Sequence, residues 1–228
     1  MTASPQSAIW FLTTLALYVA AKQLQMRVGR WWAGPAVIVA PLLIAATLAT
    51  GTDYPTYLQY NIVLVWLLAP ATVAFAVPVW THRTTIRRHA PLLLACVIFA
   101  SMVSLATGYV FSLAFDLPET IRQSLLPRSM TSPFAMPFAE AIGGDASLAA
   151  LFVILVGIIG GMLGSTMLRL PIDSPVARGL MFGLSAHGVG TAYARQLGRE
   201  EGALSALAMI LMGLANSLGL ALLLLFTG

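Results

Sequence analysis

Charge is what this chain has least of. Its 228 residues include 12 Lys and Arg and 8 Asp and Glu, so only 9% are charged while 59% are hydrophobic. A soluble globular domain carries about 25% charged residues to cover its surface, so a water-soluble fold is excluded. Cysteine is nearly absent too. The single Cys96 sits within an apolar run, where it cannot form an internal disulfide and reads as a small core hydrophobe. The signatures of common enzyme chemistry are missing as well: there is no HExxH, no Cys/His metal set, no phosphate-binding glycine loop and no GxSxG nucleophile turn. No catalytic residue, metal site or cofactor is therefore expected, and the chain does not read as an enzyme. The net charge of +4 comes from arginines in the connections. No basic patch is interleaved with aromatics on a polar face, so nucleic acid is not an expected partner.

Long apolar runs are what the chain has instead. Residues 8–24, 35–50, 62–79, 91–115, 148–168 and 203–226 each approach or exceed the roughly 20 residues that a helix needs to cross a bilayer. Short alternating segments of the membrane-barrel type are lacking, so the spans are helices. Residues 1–7 carry no Lys or Arg, and the charges Lys22, Arg27 and Arg30 follow the first apolar run. That is the wrong order for a cleaved signal, and 8–24 is expected to remain as a first span.

Basic residues gather at 22–30, 83–88, 169–178 and 195–199, whereas the connections 51–56 and 116–119 hold only acids. The positive-inside rule then places the four clusters in the cytoplasm and the N-terminus outside. Two segments fit this alternation only if they enter the membrane and return. One is 125–144, LLPRSMTSPFAMPFAEAIGG, with three prolines; the other is 177–198, with Arg178 and Arg195 at opposite ends. Irregular backbone at membrane depth is tolerated where protein shields it or where it lines a cavity. The expectation is an all-α polytopic protein with about six transmembrane helices and two re-entrant or broken segments. Residues 1–57 form a two-helix part, and residues 58–228 a core with breaks near 67–80, 124–144 and 177–198.

The polar residues of a nearly charge-free chain collect at these breaks. Ser132 followed by Pro133 suits the start of a short helix that stops at Gly143 and Gly144, with Pro137 disturbing its middle. A helix start at depth presents free N–H groups to an anion, here beside the hydroxyls of Ser129, Thr131 and Ser132. Arg128 precedes it, and its guanidinium fork matches a carboxylate. In the second segment Gly188 and Gly190 permit close backbone approach. Thr191 can cap a helix ending at Gly198, and His187 at the break can donate to a ligand or carry a proton. The blander alternatives are an Arg128 that snorkels to the interface and a His187 satisfied by a neighbouring carbonyl. Pro70, Thr72 and Pro78 mark a third break in LLAPATVAFAVPVW, at 67–80. Glu140 is the acid nearest to the middle of a membrane segment. Asn61 and Asn216 read as cross-helix hydrogen-bonders.

The blocks LLAPATVAFAVPVW, SLLPRSMTSPFAMPFAEAIGG and ARGLMFGLSAHGVGTAYARQLGREEGALSALAMILMG, in this order, resemble the hallmark blocks of the LrgB/CidB family of bacterial membrane proteins. The likeness covers 61–228 well and the first two spans only in character. Arg128, Ser129, Thr131 and Pro133 fall on the family's Pro-Lys/Arg-Ser-x-Thr-x-Pro motif; His187, Gly190 and Thr191 fall on its His-x-x-Gly-Thr motif. Members often carry an acid directly after the Ala-Met pair, where this chain has Pro137; any proton coupling would pass to Glu140 or His187. The resemblance implies one of two roles. One is transport of a small monocarboxylate such as pyruvate or glycolate, as in the related plastidal glycolate/glycerate translocator, by alternating access. The other is antiholin-like control of murein hydrolase export and autolysis through an LrgA/CidA-like holin subunit. It further implies residence in the bacterial cytoplasmic membrane, as a homodimer. On the transport reading Arg128 clamps the carboxylate and Ser129, Thr131, His187 and Thr191 orient it.

Overall fold

The computed structural model describes residues 5–74 and 76–227, with the side chains of Trp31, Ala71, Thr72, Pro78 and 220–227 outside the described set. The chain forms two compact units, Met1–Ala71 and Thr72–Gly228.

The first unit opens with α1, Pro5–Val28, which ends at Gly29 in a left-handed turn (φ 67°). Helix α2, Pro35–Thr50, starts with proline in its first turn, where the missing N–H costs nothing, and stops at Gly51 (φ 66°). Next comes α3, Tyr54–Tyr60, whose cap Asp53 accepts the N–H of Thr56 at 3.1 Å, and then α4, Ile62–Trp66. α1 packs on α2 and α3. The rings of Trp10 and Tyr57 meet edge-on at 5.5 Å, and the hydroxyls of Thr14 and Tyr57 lie 3.1 Å apart. Asn61, the residue between α3 and α4, donates back to the carbonyl of Tyr57 at 3.0 Å. That is a local hinge bond, where the sequence led to expecting a cross-helix one.

Helix α5, Leu68–Ala74, runs over the boundary between the units. Pro70 is its third residue, inside the first turn, where proline removes no helical hydrogen bond. The side chains of Thr72 and Pro78 lie outside the described residues. The second unit continues with α6, Ala76–Thr81, α7, Arg83–Arg88, and the long α8, Ala90–Ala114. The connection to α9, Glu119–Leu125, passes through Asp116 at φ 47°. A 3₁₀ turn, Leu126–Ser129, leads into α10, Ser132–Ala141; then follow α11, Ala146–Met167, α12, Pro175–Leu197, and α13, Arg199–Thr227.

The core of this unit is α12 held between α11 and α13, an approach that glycines allow. Gly160 faces the Ser185 carbonyl, Gly164 faces the fully buried ring of Phe182, and Gly183 on the far side faces the Ser205 carbonyl. Small residues at helix crossings are how membrane helices gain van der Waals contact without a hydrophobic drive between them. Asn216 of α13 donates to Ser101 of α8 at 3.0 Å, the cross-helix bond read from the sequence.

The protein is an all-α, multi-pass membrane protein. Among the described residues four helices are long and apolar enough to cross a bilayer: α1, α8, α11 and Arg199–Gly219 of α13. α2 with α3 makes a fifth if that pair, bent by 113°, is one span. The six apolar runs of the sequence thus become four unbroken helices, one bent pair and one run, 62–79, interrupted at Leu67 among the described residues. α12 is long enough to cross, but it is not apolar enough to stand among the four.

Candidate functional site

Each of the two expected breaks is made differently. At the first, Pro127 shapes the 3₁₀ turn, and Met130 and Thr131 run extended (ψ 171° and 152°) before α10 begins. The cap is Thr131, one residue earlier than expected, with Ser132 and Pro133 as the first helical residues. Thr131's carbonyl accepts from Phe134 and Ala135 at 2.9 and 2.8 Å. Its hydroxyl does not cap. Asp53, Asp145 and Ser174 each accept an N–H of their own helix, whereas the buried Thr131 Oγ1 has no hydrogen-bond partner among the described residues. α10 ends at Gly143 (φ 89°), as the Gly-Gly pair indicated.

The second break is one residue wide. α12 is helical on both sides of it, but His187 has φ 43° and ψ −122°, close to the first central residue of a type II′ turn. That position suits glycine; a non-glycine residue there costs about 1–3 kcal/mol. The His187 side chain is 2% exposed, and neither ring nitrogen has a hydrogen-bond partner among the described residues. The Ser129 backbone lies close to the imidazole, outside hydrogen-bond geometry. The two breaks therefore face each other, with the 3₁₀ turn packed on α12.

A cavity of about 890 Å³ opens beside them, walled by one face of α8, the 3₁₀ turn and the first half of α12. Most of its wall is apolar. Arg128, Ser129, Ser104, Thr107 and Ser185 supply the polar groups nearest the break. The Arg128 Nη2–H donates to Thr107 Oγ1 at 2.7 Å and Nη1 reaches the Leu125 carbonyl at 3.5 Å. Ser129 and Ser104 share a hydroxyl–hydroxyl bond. Among the described residues the one ion pair is Arg178 with Asp173, at 3.9 Å. Arg128 is thus half-buried with neutral partners only. A charge at membrane depth normally pairs with another or marks an ion pathway. The cavity's volume is within the range of small-molecule sites, and the fork of Arg128 is the group in it that suits a carboxylate.

The structure distributes the expected site residues unevenly. Arg128 and Ser129 line the cavity; Thr131 and His187 are buried beside it; Ser132 does not reach its wall. Thr191 faces the other way, its hydroxyl 2.9 Å from Ser205 of α13. Gly190 packs against the Phe182 carbonyl, so its lack of a side chain serves the helix core instead of a ligand, whereas Gly188 has open space around it. Glu140 and Pro137 are exposed on α10 and line no described cavity. Ser104, Thr107 and Gly108 were not singled out from the sequence. Their trace was present: small and hydroxyl residues recurring every three or four positions in an otherwise apolar α8.

Comparison with known proteins places the chain among bacterial relatives. The chain is 34% identical to the uncharacterized protein YwbG of Bacillus subtilis (strain 168), over 88% of this chain and 89% of that one. It is 30% identical to the holin-like protein CidB of Staphylococcus aureus (strain Mu50), over 93% of each, and 29% identical to CidB of Staphylococcus epidermidis (strain RP62A), again over 93% of each. No solved structure matches it. Residues 14–226 match the LrgB-like family, and this chain belongs to that family.

Proposed function

We propose that this protein carries small monocarboxylates, pyruvate- or glycolate-like anions, across the bacterial cytoplasmic membrane by alternating access, without enzymatic chemistry. The observation that carries this reading is the Arg128 guanidinium in a cavity of about 890 Å³ with no carboxylate to pair with among the described residues. An unpaired charge at membrane depth costs about 2.5–3.5 kcal/mol on insertion scales, and a bound carboxylate recovers part of that through bidentate hydrogen bonds. Ser129 and Thr107 hydroxyls stand ready beside it. The N-terminus lies outside on this reading, with 83–88 and 195–199 in the cytoplasm, and the protein works as a homodimer.

A second reading rests on the relatives' names. Two of them are called holin-like, which supports an antiholin-like regulator of murein hydrolase export acting through an LrgA/CidA-like subunit. Uptake of labelled pyruvate, glycolate and lactate into proteoliposomes holding this protein alone separates the two. Saturable uptake that is lost in Arg128→Gln supports the carrier. No uptake with or without a pH gradient, and none after co-reconstitution with the holin-like subunit, leaves the regulator.

A further inference from the structure

A second cavity, of about 570 Å³, lies on the far side of Arg128. Its wall includes Thr107, Gly108, Phe111, Phe115, Leu117 and Phe152. The two cavities have two lining residues in common, Thr107 and Arg128. One stripe of α8 and its C-terminal cap passes through both: Leu92, Cys96, Val103 and Thr107 on the first, then Thr107, Phe111 and the cap Phe115 on the second. These residues recur at intervals of four or seven, which keeps them on one face of a helix. From Leu92 to Phe115 that face is about 35 Å long at 1.5 Å per residue, enough to cross the roughly 30 Å of a bilayer's hydrocarbon core.

We infer that the two cavities are the inner and outer halves of a single translocation path, that the Arg128 side chain is the partition between them, and that Thr107 is the positioning residue that holds it there. The inference rests on the carrier reading and adds to it where the path runs and what closes it. The geometry of the closure is specific. Thr107 gives its own hydroxyl proton to the Val103 carbonyl at 2.6 Å, which leaves the oxygen free to accept from the guanidinium. Gly108, one residue on, makes room: a Cβ there would overlap Arg128 Nη1. The positive charge is therefore parked on a neutral acceptor, where an arriving carboxylate outcompetes it. Binding the anion draws the fork off Thr107 and opens the partition toward the half opposite to the one from which the anion came.

The protein brings its own reporter, because its one cysteine, Cys96, lines the first cavity. In proteoliposomes, a membrane-impermeant methanethiosulfonate is applied to each face in turn. The native chain should label at Cys96 from the face where His89 opens and resist labelling from the other. Thr107→Val, and independently Gly108→Ala, should raise labelling from the resistant face by about tenfold, the factor that corresponds to about 1.4 kcal/mol. Thr107→Ser, which keeps the acceptor, should label as the native chain does. Equal labelling from both faces in the native chain overturns the partition. Unchanged asymmetry in both Thr107→Val and Gly108→Ala overturns the role of Thr107. Labelling needs no substrate, so the two ideas fail separately. Uptake absent both alone and after co-reconstitution, with asymmetric labelling, sinks the carrier, and saturable uptake with symmetric labelling sinks the partition.

Discussion

The break before α10 and the break inside α12 face each other, yet they leave their polar groups in opposite situations. The first is wide, built by prolines and two extended residues, and it sets Arg128 and Ser129 on the wall of a cavity. The second is a single residue in a glycine-like conformation, and it seals His187 in the core with no hydrogen-bond partner among the described residues. An open break can meet a ligand directly, whereas a sealed one can act only by changing shape. On the carrier reading the pair divides the work: the approach to α10 supplies the recognition, and His187 supplies a joint in α12.

The largest effect should come from breaking the open side. Arg128→Lys keeps the charge but loses the planar fork, so uptake should fall by about tenfold to a hundredfold, as expected when a bidentate pair becomes a point contact. Arg128→Gln should reduce uptake to the background of empty liposomes. If Arg128→Lys transports like the native chain, charge alone suffices and the bidentate contact leaves the account.

Next in size is the packing that holds the sealed side. A methyl at Gly190 would press on the Phe182 carbonyl and, at 2.7 Å, on the Ala186 Cβ. Gly190→Ala should therefore lower stability by about 1–3 kcal/mol, the usual cost of overpacking, seen as a lower Tm in detergent. Gly188→Ala meets nothing within 4 Å and should leave Tm nearly unchanged. The reverse order would mean that α12 sits elsewhere.

The contrast between these glycines marks the limit of what the sequence made legible. The places of both breaks could be read from it: prolines act on their own backbone at the first, and at the second the glycines flagged the place although His187 itself makes the turn. Which side chains would meet at those breaks could not. Thr191 looks like a cap in sequence, but its partner is Ser205, brought near only when α12 packs on α13. Thr107 looks like an ordinary helical threonine until the turn after α9 lays Arg128 across it. The run 62–79 is apolar enough for a span, and its turn at Leu67, between α4 and α5, is invisible to hydropathy, which averages over so short an interruption.

His187 allows the joint to be tested apart from the side chain. His187→Ala removes the imidazole but keeps a Cβ at φ 43°, while His187→Gly removes the imidazole and relieves the backbone. Glycine should therefore be the more stable variant by about 1 kcal/mol or more. If uptake falls equally in both, the imidazole itself matters. If it survives in glycine alone, the turn is what the carrier needs.

The smallest effect belongs to helix starts, where Thr131 and Asp53 form the sharpest pair. The hydroxyl and N–H of Thr56 hold the exposed Asp53 carboxyl below its usual 3.8, whereas the Thr131 hydroxyl holds nothing among the described residues. A depressed pKa means that the charged cap supports α3 above the unfolded value and that this support is lost as pH falls through the folded one. Helicity followed by circular dichroism from about pH 5 to about pH 3 should show a small loss in the native chain that Asp53→Asn, a neutral cap of equal quality, does not show. Thr131→Val supplies the counterpart. Replacing a buried hydroxyl that has no partner with a group of the same shape should leave Tm unchanged or slightly raised. If Tm is unchanged and uptake nevertheless drops, that hydroxyl turns toward the anion during transport, and the open break extends one residue deeper than its cavity wall.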